Sequence, residues 1–98
     1  MDRTHTRNLV RQVAQDCDPQ AALSLYDQSM ASGHKRIALL RYLDARDLSV
    51  PLAPHHHAYA RSVASALSER DMEVIAREAL RRSRERQALL ALNKTEQN

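Results

Sequence analysis

The sequence predicts an all-α fold, a compact bundle of about five helices, and three features carry that reading. Gly occurs once and Pro three times in 98 residues, too few turn residues for a sheet protein. Ala, Leu, Arg, Gln and Glu, the strong helix formers, dominate the composition. Apolar residues recur at helical spacing, with no strand-like alternation.

A first helix is expected from about Thr6 to Cys17, with Leu9, Val10, Val13, Ala14 and Cys17 on one face. Asp18-Pro19 then restarts the chain, because Asp serves as an N-cap and Pro suits the first helical position. The second helix turns Ala22, Leu25, Tyr26 and Met30 inward and stops at Gly33, which adopts the left-handed C-cap conformation without a Cβ clash. A third helix, about His34 to Arg46, carries Ile37, Leu39, Leu40 and Leu43 over a broad arc and is expected at the centre of the bundle.

Pro51 and Pro54 exclude regular helix from the segment Leu48 to Pro54, whose Val50 and Leu52 are expected to fold back on the core. Pro54 opens a fourth helix with Tyr59, Val63, Ala66 and Leu67 on its apolar face. Ser68 caps a fifth, with Asp71 as an acidic variant of the capping box. That helix runs from Glu69 to roughly Leu92, its stripe formed by Met72, Ile75, Ala76, Ala79, Leu80 and Ser83. Past Ser83 the pattern breaks: Arg86 falls in line with the stripe, and Ala88 to Leu92 is apolar all round. Residues 1–92 therefore read as a single helical domain and 93–98 as a disordered tail.

Composition narrows the function. With no Phe, no Trp and three Tyr, the core must be built from aliphatic side chains worth roughly 1.5–3 kcal/mol each when buried, and such a core invites completion by a partner. Cys17 stands alone, so neither an internal disulfide nor a cysteine zinc cage is available, and it reads as a small core residue. No apolar run reaches the roughly 18 residues of a membrane span, the first residues lack the apolar stretch of a signal peptide, and a cytoplasmic location is expected. Frequent Ala and Arg fit a bacterial chain of high coding GC content.

The net charge of +3, with acids and bases interspersed, permits nucleic-acid binding without demanding it. Arg70, Arg77, Arg81 and Arg84 fall together on the face of the fifth helix opposite its stripe, where guanidinium forks would match phosphate oxygens; a solvated face with Glu–Arg pairs is the plainer account. The last two helices read loosely as helix-turn-helix-like, although Glu69, Asp71 and Glu73 would repel phosphates where base contacts are usually made. His55, His56 and His57 fan about 100° apart on a helix and have no ligand partner at sequence spacing, so a polar first turn is expected and no metal.

Tyr26 and Tyr59 lie on apolar faces, whereas Tyr42 falls opposite its helix's arc and is a candidate partner anchor or, equally, a half-buried residue under the proline loop. No nucleophile is grouped with a base, and one glycine cannot build a phosphate-cradling loop, so no enzyme, cofactor or small-molecule substrate is expected. The expected role is a small regulatory protein acting by protein–protein interaction, including self-association. An adaptor or an antiactivator of a transcription factor would be of this kind. Tyr42, Leu89, Leu90 and Leu92 are its partner-binding residues. The alternative is a nucleic-acid-binding transcriptional regulator using the four arginines.

Overall fold

The sequence folds as helices α1 (Arg3–Asp16), α2 (Pro19–Ser32), α3 (Lys35–Asp47), α4 (Pro54–Ala66) and α5 (Glu69–Glu96). These come from a computed structural model that describes residues 3–96, with side chains described for 4–92. The backbone of α5 continues into the segment expected as a tail, whose last two residues lie outside the described ones. No helix among the described residues is long and apolar enough to cross a membrane.

Local chemistry sets the boundaries. Asp18 Oδ1 accepts the backbone N–H groups of Gln20 at 3.0 Å and Ala21 at 3.3 Å, with Pro19 opening the helix. Gly33 takes φ +71° and closes α2 by paired bonds, its own N–H to Met30 O and that of His34 to Ser29 O. Two further left-handed residues are not glycines. Cys17 (φ +51°) reverses the chain between α1 and α2, and Ser49 (φ +58°) ends α3 while the Val50 N–H bonds Ala45 O at 3.0 Å. Ser68 Oγ accepts the Asp71 N–H at 3.1 Å and starts α5, but the Asp71 carboxylate reaches across to Arg36 at 2.9 Å.

Helix α3 is central, packing against α2, α4 and α5. It divides the core in two. On one side Leu9, Val13, Ala22 and Leu25 meet Ala45 and the returning Val50, with Leu52 packed alongside. On the other, Leu39 meets Ala60, Val63 and Ile75. Tyr26 is fully buried; its ring lies 5.6 Å from that of Tyr42 and 6.4 Å from that of Tyr59, and its hydroxyl donates to His56 O at 2.6 Å.

Helices α3 and α5 run parallel. Arg36 meets Asp71 near their N-terminal ends, and Asp47 meets Ser83 and Arg86 where α3 stops. At a rise of about 1.5 Å per residue, α5 would be about 42 Å long, and its last third projects beyond α3.

Several expected core positions face water. Val10, Ala14, Ile37, Ala66, Ala76 and Leu80 are exposed. For α5 the reason is a rotation of the buried face: Ile75, Ala79, Arg82 and Arg86 turn toward the bundle, because α3 presents carboxylates there instead of an apolar groove. Gly33→Ala should destabilise the chain by about 1 kcal/mol in urea unfolding, wholly through the left-handed backbone, since a Cβ at that position meets nothing within 4 Å.

Candidate functional site

The deepest polar cluster joins α3 to α5. Asp44 is 1% exposed, and with Tyr26 it is the largest fully buried side chain. Its Oδ1 accepts Arg86 Nη1 at 2.9 Å and its Oδ2 accepts Arg82 Nη1 at 2.8 Å. Arg86, 3% exposed, also forks onto Asp47 Oδ2 through Nε at 3.1 Å and Nη2 at 2.8 Å. Burial would lower the Arg86 pKa, but hydrogen bonds and charge from Asp47 and Asp44 outweigh it and hold the pKa above the ordinary value. The cluster is a charge-satisfied clamp. Its arginine side had one visible sign in the sequence, the alignment of Arg86 with the apolar stripe.

Two of the four arginines in the proposed phosphate-binding stripe are engaged by carboxylates of their own helix. Arg77 bonds Glu73, and Arg81 bonds both Glu78 and Glu85. Glu78 also accepts Arg82 Nε at 3.0 Å, and the hydrogen bonds from Arg81 and then Arg82 hold its carboxyl down to about 2. Arg70 and Arg84 are exposed.

The histidine run is not a uniformly polar first turn. His56 is buried at 7% exposure, His57 is half-buried, and only His55 is exposed. A carboxylate does lie nearby: the fold brings Asp27 of α2 to the run, which no spacing along the sequence could show. His56 Nδ1 accepts the Ala53 N–H at 3.0 Å, capping α4, so the neutral ring carries its proton on Nε2 and donates it to Asp27 Oδ1 at 2.8 Å.

Ligand atoms of Asp27, His55 and His56 gather within 4.8 Å. A cation there would have to displace the Nε2 proton and release the Ala53 bond, since an imidazole bound to metal through Nε2 keeps its proton on Nδ1. As arranged, the group is a clasp between α2 and α4.

Tyr42 is half-buried, with its hydroxyl 2.8 Å from His57 Nδ1 and the Arg46 guanidinium 5.8 Å from its ring centroid. The C-terminal leucines are in a different setting. Leu89 is half-buried, while Leu90 and Leu92 are 47% and 61% exposed. Tyr42 packs against the side of the core formed by Leu39, Ala60, Val63 and Ile75.

Comparison with protein-family models, with curated proteins and with solved structures finds no match.

Asp44→Ala leaves Arg86 buried beside a lost partner and should cost about 3–5 kcal/mol in urea unfolding, whereas Glu73→Ala on the exposed face should stay within about 0.5 kcal/mol. The Tyr26 phenol is pushed up to about 12, by burial first and then by the charges of Tyr42, Tyr59 and Asp27. Its folded pKa is raised, so its contribution to stability is intact below the ordinary value near 10 and is lost as pH rises through about 12. Spectrophotometric titration should accordingly show a phenol ionising near pH 12, and Tyr26→Phe should remove that step.

Proposed function

We propose that this chain is a small non-enzymatic regulatory protein that acts by binding another protein through the projecting end of α5. The observation that carries the reading is the exposure of Leu90 and Leu92 on the part of α5 that continues beyond the end of α3. Each leucine that a partner covers contributes roughly 1.5–3 kcal/mol, which makes an apolar helix end an efficient docking element. A partner with an apolar groove fits it, as an adaptor or an antiactivator of a transcription factor would require.

The nucleic-acid reading has less support. Arg77 and Arg81 carry their own carboxylates, and Glu69 and Asp71 occupy the first turn of α5, where a helix-turn-helix module would read bases. Affinity for phosphate depends on net positive field, and alternating Glu and Arg cancel it.

The test compares the full chain with Leu90→Asp/Leu92→Asp. Sedimentation first determines whether a second copy occupies the surface. A partner captured from the cell of origin is then purified and rebound. With unchanged helical circular dichroism, the double variant should bind at least about tenfold more weakly, a change of about 1.4 kcal/mol. Equal affinity for both chains would remove the α5 end from the mechanism.

A further inference from the structure

Helices α1, α3 and α5 line a half-open cavity of about 190 Å³, with the carboxylates of Asp44 and Glu85 in its wall, each already bonded to arginine. Val10, Val13 and Ala14 of α1 form one wall, and Arg41 of α3 faces it beside Arg82 and Arg86 of α5. The arginines of this cavity are not equivalent. Arg82 and Arg86 hold the two oxygens of Asp44, and Arg81 is shared between Glu78 and Glu85. Arg41 has neither an ion pair nor a hydrogen bond among the described residues, and its Nε is shielded from solvent without an acceptor. Asp44 lies near enough to act on it electrostatically, but both of that carboxylate's oxygens are already engaged.

A half-buried guanidinium without a hydrogen-bonded partner is costly to a fold, because it has lost water and the nearby Asp44 charge only partly makes up for it. The Arg41 pKa is lowered accordingly, by burial and then by the neighbouring charge of Arg82. The group that completes such a site is an anion with two oxygens in one plane, gripped by parallel bonds from the terminal Nη1 and Nη2 of Arg41, since Nε is out of the cavity's reach. The valine wall adds a second requirement. It has no polar groups to offer a fully hydrated ion such as phosphate, but it will cover a hydrocarbon body. The volume sets the third: a cavity of roughly 150 Å³ accommodates benzene, so this one has room for a single ring or a short branched chain bearing a carboxylate.

We infer that this cavity binds a small apolar monocarboxylate, its head paired with Arg41 and its body laid on Val10 and Val13. The site is separate from the leucines at the end of α5, and the inference stands whether or not those leucines bind a partner. It supplies what the clamp around Asp44 lacks, a counter-charge for the remaining arginine.

Benzoate is the probe. In the full chain it should raise the melting temperature and shift the methyl resonances of Val10 and Val13, while inorganic phosphate at the same concentration and ionic strength should do so at least about tenfold less effectively. Arg41→Met should abolish the response to benzoate and, because it removes an unpaired charge, should melt no lower than the parent without ligand. Val10→Glu, at an exposed edge of the cavity, keeps the test decisive if that variant folds poorly: its own carboxylate should occupy Arg41 and exclude benzoate. No methyl shift in the parent, an undiminished response in either folded variant, or phosphate matching benzoate would each overturn the assignment.

Discussion

The fold turns on one buried carboxylate. Asp44 sits in the last turn of the central helix, out of contact with water, and is stable there only because Arg82 and Arg86 each bond one of its oxygens. Removing a charge from water costs several kcal/mol, which good geometry can offset but rarely turns into a large net gain. What the arrangement does provide is register. An apolar seam between α3 and α5 would tolerate sliding or rotation by part of a turn, whereas a forked guanidinium fits two carboxylates in one alignment. The face that α5 turns inward, the exposure of Leu80 and the course of the helix beyond Asp47 all follow from that alignment.

A second layer ties the two halves of the core. Tyr26 provides the bulk that a chain without Phe or Trp otherwise lacks, and its hydroxyl is satisfied by the backbone of α4. His56 holds the same junction from the other side, capping its own helix with one nitrogen and reaching α2 with the other. Both interactions join α2 to α4, helices that share few direct apolar contacts, so hydrogen bonds secure a seam that aliphatic packing alone would leave loose.

What could be read along the chain was what depends on near neighbours. Asp18, Pro19, Gly33 and Ser68 act on backbone groups within a few residues, and all four mark helix ends as their chemistry demands. Leu48 to Pro54 was legible for the same reason, because proline's restrictions are local. The burial of His56 and the carboxylates that hold Arg86 were not, since the partners lie 29 and 42 residues away. A hydrophobicity pattern places arginine outside by default, and only a carboxylate from another helix reverses that. Ser49 escaped notice because the left-handed stop it makes is usually made by glycine. The unpaired state of Arg41 was equally invisible, being defined by which neighbouring carboxylates are already taken.

The parallel course of α3 and α5 has a consequence for synthesis. Asp44 leaves the ribosome well before either of its arginines, and α4 intervenes before α5 can be laid beside α3. Until residue 86 has emerged, the carboxylate must keep its hydration, so the last turn of the central helix stays wet while the Leu9 and Leu25 side of the core is already able to close. Drying of the clamp therefore waits on the helix that carries Leu89, Leu90 and Leu92.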